Sequence, residues 1–258
     1  MKYGKCKICG KVGKLTFEHI PPKGANNDRR AMVITGEELL KTVTDENRDP
    51  WNYDGLKYIN EQKGMGLYSL CSECNNLTGA FYGTEYIKMT NTFLKLIFDN
   101  RIDDSDYGYI DVGLENVYIA RFIKQVLSMF CGTTLGLTTK YPSIKRLILN
   151  KDAKYRTKPK YRISMFLLKE YRIGYTGVNV LFDHGNIQTV SEIDAYPFGF
   201  IFEYDPKGET DNLDIMEFLK YSYNESANLR MRIPIRERNI MFPLDYRKKE
   251  EIKKNSSS

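Results

Sequence analysis

Cysteine and histidine are both scarce in this chain, which holds five cysteines and two histidines among 258 residues. The sequence also lacks any apolar run close to the roughly 20 residues that a membrane-spanning helix needs, so we expect no membrane partner. Residues 1–5 lead directly into a cysteine pair, and this predicts that no secretory signal is present. These absences argue against a disulfide-rich secreted scaffold and against an integral membrane protein, and they indicate a cytoplasmic location.

Four of the five cysteines form two Cys-x-x-Cys pairs, Cys6 with Cys9 and Cys71 with Cys74. In an intracellular chain such pairs favour metal binding over disulfides, so the pattern predicts one structural zinc ion held by four thiolates. The fifth cysteine, Cys131, lies in an apolar helical pattern and is expected to be a small core residue.

Positive charge is concentrated in two segments of a chain whose net charge is +6. Lys and Arg dominate residues 1–30 and 140–162, whereas residues 98–118 are rich in Asp and Glu. Such segregation favours a surface that meets a polyanion, and each basic run has the alternative of simply facing water. The pattern predicts nucleic-acid contacts at Lys23, Lys145, Arg146, Lys154, Arg156, Lys158 and Lys160.

The length suits one large domain or two small ones, and the sequence patterns favour two. The first domain is predicted over residues 1–99, with residues 24–65 as a surface insertion. A loop rich in acidic residues and glycine then leads to a second domain over residues 114–247. Residues 248–258 are predicted to be a disordered tail.

Hydrophobic periodicity predicts the elements of both domains. One helix is predicted over residues 75–99 and another over residues 115–132. Toward the carboxyl end, alternating patterns predict strands, among them a hairpin with His184 in its turn and an edge strand with a proline at residues 230–235. Together these predict an α+β fold, in which a small zinc-bound domain precedes a mixed α+β domain with a mostly antiparallel sheet.

Between the cysteine pairs, Glu18 and His19 end a predicted strand that Pro21 stops. Asn75 follows the second cysteine pair at the start of a helix. Carboxylate and amide oxygens can share one hard divalent cation, and a histidine free of metal can take a proton from a water that attacks phosphorus. The alternatives are a packed, capping or zinc-binding His19 and an ordinary helix-capping Asn75. The three side chains are therefore candidates for phosphodiester hydrolysis.

Three segments carry a resemblance to a known family: Cys6-x-x-Cys9, Glu18-His19-Ile20-x-Pro22 and Leu70-Cys71-x-x-Cys74-Asn75. Together they resemble the HNH endonuclease motif of the zinc-bearing ββα-metal, treble-clef-like type, over residues 3–90. The resemblance implies that His19 is the general base and that Glu18 and Asn75 bind a catalytic Mg²⁺ or Mn²⁺. It also implies that the four paired cysteines bind the structural zinc.

The activity that this resemblance implies is that of an HNH-type endonuclease, a hydrolase acting on phosphodiester bonds. Double-stranded DNA is the expected substrate, and restriction or anti-phage (antiviral) defence is the expected context. The second domain would then recognise the substrate or regulate the enzyme. A homodimer, or an activating partner bound through this domain, stays open.

The chain departs from the family's pattern at three points. Glu18 stands where an aspartate is commoner, and the two cysteine pairs lie farther apart than usual. Gly66 occupies the position of a central asparagine that holds the loop and orients the base, a role for which Asn60 and Asn76 are candidates. These departures favour an alternative function, a zinc-stabilised nucleic-acid-binding module whose nuclease site has decayed.

Overall fold

The computed structural model of the protein describes residues 2–44, 52–99, 108–155, 157, 159–183 and 186–237. These residues form an α+β fold with mostly antiparallel sheets, which confirms the predicted class. No helix within these ranges combines the length and the apolar character needed to cross a bilayer. The predictions for Arg156, Lys158, His184 and the tail at 248–258 fall outside the described residues.

The amino-terminal half forms a small sheet and a helix that follows one of its strands without a loop. Its elements are β1 (Lys2–Lys5), β2 (Val12–His19), β3 (Ala31–Ile34), α1 (Gly36–Thr44), β4 (Tyr58–Glu61), β5 (Gly66–Cys71), α2 (Ser72–Thr78) and α3 (Thr84–Asp99). β1, β2 and β5 pair in that order, and both pairings are antiparallel. β3 and β4 form a separate antiparallel pair inside the predicted insertion. β2 and β5 are therefore neighbours in space, although the insertion separates them along the chain.

The helix predicted over residues 75–99 begins earlier, at Ser72, because Cys71 at the end of β5 already acts as its N-cap residue. A π-helical turn over Gly79–Gly83 joins α2 to α3, so the helical backbone continues to Asp99. A glycine stands at each end of this turn. Glycine is a poor helix former, so these two residues weaken the helical pattern where the α-helix gives way to the π-helical turn.

The carboxyl-terminal half contains one large sheet and three α-helices among the described residues. Its elements are β6 (Tyr109–Val117), α4 (Ile119–Thr133), α5 (Leu137–Lys140), α6 (Pro142–Leu149), β7 (Tyr161–Leu168), β8 (Ile173–Asp183), β9 (Asn186–Ala195), β10 (Phe198–Tyr204), β11 (Leu213–Asp214) and β12 (Ala227–Arg236). The strand order is β6-β12-β7-β10-β9-β8, with β11 beside β7. Every pairing is antiparallel except that of β12 with β7.

Two predictions for this half are wrong in detail. Residues 115–117, predicted to be helical, belong to β6, which pairs with β12, and the helix begins only at Ile119. The strand at residues 230–235 is not an edge strand, because β12 lies between β6 and β7. Its proline, Pro234, stands where the pairing with β6 ends and the pairing with β7 begins, a position at which a missing N–H group costs little.

Helix α4 lies at the centre of the main hydrophobic core. Nearly all of its residues are buried, which is the pattern of a helix covered on every side. On one side the ring of Tyr86 stacks on Phe122 of α4 at a centroid distance of 5.4 Å, and Phe198 of β10 lies 5.5 Å from the same Phe122 ring. One hydrophobic cluster therefore contains side chains from both predicted domains.

Candidate metal centre and catalytic residues

The four paired cysteines come together where β1, β2, β5 and α2 meet. Cys6 and Cys9 lie in the turn between β1 and β2, Cys71 ends β5, and Cys74 lies in the first turn of α2. Their sulfur atoms all lie within 4.8 Å of one another, and the Sγ atoms of Cys9 and Cys71 are 3.8 Å apart. Zinc–sulfur bonds of about 2.3 Å in a tetrahedron give sulfur–sulfur distances of about 3.8 Å. The structure thus confirms a cysteine cluster compatible with a metal ion such as zinc.

The electrostatics of this cluster favour a thiolate even before a cation is considered. A hydrogen bond with the Cys74 thiol lowers the pKa of Cys6 to about 4, and backbone N–H groups add to this effect while burial opposes it. The same hydrogen bond, together with burial, raises the pKa of Cys74. A buried thiolate needs a positive partner, and a divalent cation bound by all four sulfur atoms would supply it.

His19 ends β2, and its position suits a general base. Its Nε2 lies 2.8 Å from the main-chain oxygen of Lys63. A carbonyl oxygen only accepts, so Nε2 carries the proton and donates it, and in the neutral ring Nδ1 keeps its lone pair. Burial lowers the pKa of His19, and the charges of Lys23 and Lys63 lower it further, although the bond to the Lys63 carbonyl opposes them. The half-buried imidazole is therefore neutral near pH 7 and can accept a proton.

Glu18 faces the opposite side of β2 and is almost completely buried, with 4% of its surface exposed. Ser69 of β5 donates a hydrogen bond to one carboxyl oxygen at 3.2 Å, and Ser128 of α4 donates to the other at 3.4 Å. Burial raises the pKa of Glu18 to about 8, despite these two hydrogen bonds. The carboxyl group is thus mostly protonated at neutral pH and lies in the contact between β2 and α4.

Asn75 lies inside α2 and ties this helix to β2. Its Nδ2 donates to Thr16 Oγ1 at 3.0 Å and to the main-chain oxygen of Phe17 at 3.1 Å. The alternative of a helix-capping Asn75 is wrong, because the N-cap of α2 is Cys71. The two bonds use the amide nitrogen, so the amide oxygen, the predicted metal ligand, takes part in neither. Asn75 therefore holds α2 against the strand that carries His19.

The predicted ligands of Mg²⁺ or Mn²⁺, Glu18 and Asn75, make their hydrogen bonds to different groups. Mg²⁺ binds through ionised carboxylates and keeps several waters. The Glu18 carboxyl group is buried, favours its protonated form and accepts hydrogen bonds from two serines. As placed, this group does not fit a hydrated cation.

The position where the family pattern has its central asparagine has a steric requirement for glycine. Gly66 pairs with His19 across β2 and β5. A Cβ atom at position 66 would lie 2.2 Å from the main-chain oxygen of Glu18 and 2.7 Å from the ring of Phe17. Any side chain at this position would therefore displace the end of β2, so an asparagine does not fit there.

Asn27 is a buried asparagine in the loop after β2, and no sequence pattern had pointed to it. Its side chain is 2% exposed and makes hydrogen bonds to the main chain of Pro21 and Met65. The two candidates named from sequence are exposed: Asn60 lies in β4, and Asn76 donates to Ser72 within α2. Asn27 lies in a loop rich in Asn, Asp and Arg, where no local pattern distinguishes it from its neighbours. Only the pairing of β2 with β5 brings it to Met65.

The predicted nucleic-acid-binding residues divide between two places. Lys23 is exposed and close enough to His19 to lower its pKa, while Lys145 donates from Nζ to the main-chain oxygen of Cys9 at 2.9 Å. Lys154 lies 3.6 Å from the carboxylate of Glu225. Arg146 and Lys160 are exposed. Of the predicted set, Lys23 therefore adjoins the histidine and Lys145 the cysteine cluster.

Comparisons with protein-family models, with curated proteins and with solved structures gave no match for this chain.

Proposed function

We propose that the protein is an HNH-type endonuclease that hydrolyses phosphodiester bonds of double-stranded DNA, with His19 as the general base. The observation that carries this proposal is the placement of His19: its Nε2 donates to a main-chain oxygen, so Nδ1 is left to accept a proton. The strand that ends at this histidine is held to β5 and α2, where the cysteine cluster lies. Restriction or anti-phage defence is the proposed context, by resemblance alone.

The chemistry proposed for this chain is a proton transfer at His19. Nδ1 takes a proton from a water molecule while the water oxygen attacks phosphorus, and the ester bond to the leaving oxygen breaks. The positive charges of Lys23 and Lys63, which already act on His19, would attract the phosphate to this end of β2. A general base of this kind contributes roughly 10²–10⁴-fold to a rate.

A requirement for Mg²⁺ or Mn²⁺ belongs to the proposal because of the family resemblance. No step is assigned to the cation, because Glu18 as placed does not fit one. The test must therefore include each cation separately, together with a reaction that contains a chelator.

The decisive experiment compares plasmid cutting by the wild-type protein, His19→Ala and His184→Ala, each with Mg²⁺ or Mn²⁺. We expect the wild type and His184→Ala to cut, and His19→Ala to lose roughly 10²–10⁴-fold in rate. His184→Ala is the matched control, since it removes the other histidine of the chain. Equal cutting by His19→Ala and the wild type would show that His19 is not the base.

A second function, a zinc-stabilised nucleic-acid-binding module without nuclease activity, is favoured by the burial of Glu18. It predicts no cutting with either cation, but binding to DNA that weakens steeply as salt is raised, because lysine contacts to phosphate release counterions. Filter binding or fluorescence anisotropy at several salt concentrations distinguishes it from the endonuclease.

A further inference from the structure

A groove of about 410 Å³ lies between the turn that carries Cys6 and Cys9 and the region where α4 leads into α5. Residues 5–10 form one wall, and most of residues 135–139 form the other. Lys145 of α6 completes the lining, and we call this space the basic groove. One wall belongs to the amino-terminal half of the chain and the other to the carboxyl-terminal half, so the groove exists only because the two halves pack together.

Three hydrogen bonds fix the walls of the basic groove relative to each other. Thr138 donates from Oγ1 to the main-chain oxygen of Lys7 at 3.0 Å. Lys145 donates from Nζ to the main-chain oxygen of Cys9 at 2.9 Å. The Nζ of Lys7 donates to the main-chain oxygen of Gly132, in the last turn of α4, at 2.6 Å. The groove is thus already formed, and a ligand that enters it has few protein groups to order.

The charge along the basic groove has one sign. Lys5 and Lys145 are exposed, and Lys7 is half-buried. Thr138 and Thr139 add hydroxyl groups to the lining. Among the residues that the structure describes, no Asp or Glu lines this space. A cleft lined by charges of one sign focuses the field and raises the local concentration of ions of the opposite sign, so this groove suits an anion.

The cysteine cluster accounts for only part of this positive charge. Four thiolates and one zinc ion carry a net charge of about −2, and Lys7 and Lys145 can offset it because both bond within or beside the cysteine turn. The side chain of Lys5 instead extends over Gly10, where a Cβ atom would lie 3.6 Å from its Cε, and it is exposed. Lys5 is therefore in excess of what the cluster requires.

We infer that the basic groove binds phosphate groups of the DNA backbone, with Lys5 and Lys145 as the contacting residues. Lysine meets phosphate as a point charge, and such contacts position a duplex without reading its sequence. The groove adjoins the start of β2, and His19 ends this strand, roughly 23 Å away at about 3.3 Å per residue. The inference rests on the proposed function for its choice of DNA, and it assigns contacts remote from the bond that would be cut.

The test measures the affinity of the zinc-loaded protein for a fluorescent DNA duplex by anisotropy, without Mg²⁺ or Mn²⁺, at several salt concentrations. The double variant Lys5→Gln, Lys145→Gln removes both charges and keeps side chains that can donate hydrogen bonds. We expect its affinity to fall roughly 10- to 100-fold at about 0.1 M salt. The slope of log affinity against log salt should become less steep by about two, because two phosphate contacts are lost.

The matched control is the double variant Lys207→Gln, Lys220→Gln, which removes two exposed lysines outside the groove and changes the net charge equally. We expect it to bind DNA within about twofold of the wild type. Lys5→Arg with Lys145→Arg keeps both charges of the groove and should also bind like the wild type. Wild-type affinity and slope in the groove variant would overturn the inference. Equal losses in the groove variant and the control would overturn it too, since only net charge would then matter.

Zinc content distinguishes a contact with DNA from support of the cysteine cluster. We expect the groove variant to keep about one zinc ion per chain. If it loses zinc, the single variant Lys5→Gln is judged in its place, because it leaves the bond between Lys145 and Cys9 intact. A slope that is less steep by about one in Lys5→Gln supports the inference, and a wild-type slope overturns it.

Binding and cutting can fail independently in these tests. If the wild type binds DNA but cuts none with either cation, the nuclease proposal fails, and the binding comparison still decides the inference. If the wild type cuts DNA and the groove variant binds it equally well, the inference fails and the nuclease proposal stands. Absence of DNA binding by the wild type at low salt would overturn the inference outright.

Discussion

The two faces of strand β2 differ sharply, although the residues that mark them are neighbours in the chain. Glu18 faces α4, is buried and has a pKa raised to about 8, whereas His19 faces a loop, is half-buried and has a lowered pKa. In both cases burial is the main cause, because it disfavours the charged form of either group. Two residues that together suggest a metal ligand and a base therefore lie in separate environments, and both are mainly neutral near pH 7.

Both faces depend on the same support. β2 is held to β5 by its hydrogen-bond ladder and to α2 by Asn75, and all three elements converge on the cysteine cluster. The buried face is further stabilised by contacts with α4, and beside the open face Asn27 fastens the loop after β2 to Met65. The first face is thus a packing surface, and the second is the one that solvent partly reaches.

Loss of the bound metal should unfold the region that carries both faces of β2. This is the largest effect we expect. A structural zinc site supplies on the order of 10–16 kcal/mol of apparent folding free energy, so Cys71→Ser should lose zinc and most of its cooperative unfolding transition. Elemental analysis of the wild type should find about one zinc ion per chain. Cys131→Ala, which changes a buried cysteine outside the cluster, should keep the metal. Full zinc content in Cys71→Ser would contradict a site of four thiolates.

Substitution of Glu18 tests the buried face alone and should have the next largest effect. Glu18→Ala leaves the hydroxyl groups of Ser69 and Ser128 without their partner and opens a cavity, so we expect its free energy of unfolding, measured in urea, to be about 2–4 kcal/mol lower than that of Glu18→Gln. Glu18→Gln has the same size, can donate and accept, and needs no proton, so at pH 7 it should be at least as stable as the wild type, whose buried carboxyl group takes up a proton on folding. Full metal-dependent cutting by Glu18→Gln would exclude Glu18 as a cation ligand, whereas a folded but inactive variant would restore that role.

The pH dependence of stability should show the smallest of these effects, and it isolates the protonation of Glu18. The usual pKa of the carboxyl group is 4.5 and its value in the folded protein is about 8. Between these values the folded state holds a proton that the unfolded state has lost, so the contribution of Glu18 to stability is fully present below pH 4.5 and is lost as pH rises from there to about 8. The slope is about 1.4 kcal/mol per pH unit.

This slope is best measured against Glu18→Gln, which has no ionisable group at position 18. Urea unfolding of the zinc-loaded proteins between pH 6 and pH 8 should show the wild type losing stability relative to the variant as pH rises. Parallel stability curves would mean that Glu18 is ionised in the folded protein, and the description of this face as a neutral packing surface would be wrong.

The cysteine cluster is the part of the site that could be predicted best from sequence. The ligand atoms lie in two short segments, and the spacing of two residues within each pair already turns both sulfur atoms toward one point. The predicted helix over residues 115–132 needed only a shift of its start, because an apolar period of this strength has few alternatives. The first turn predicted for this helix, at residues 115–117, is wrong because these residues belong to the preceding strand, which pairs with β12.

What the sequence determined by itself is therefore local: the ligand set of the cluster, the α+β class and the position of Glu18 and His19 at the end of a strand. Strand geometry also predicts that these two side chains point in opposite directions, but not which one meets the core. That was decided by Ser128, 110 positions away on α4, and the bonds by which Asn27 fastens the loop after β2 were decided by Met65, 38 positions away. Contacts over such separations depend on how the elements pack, because packing is set by the shape and burial of whole surfaces and not by the residues next to the site.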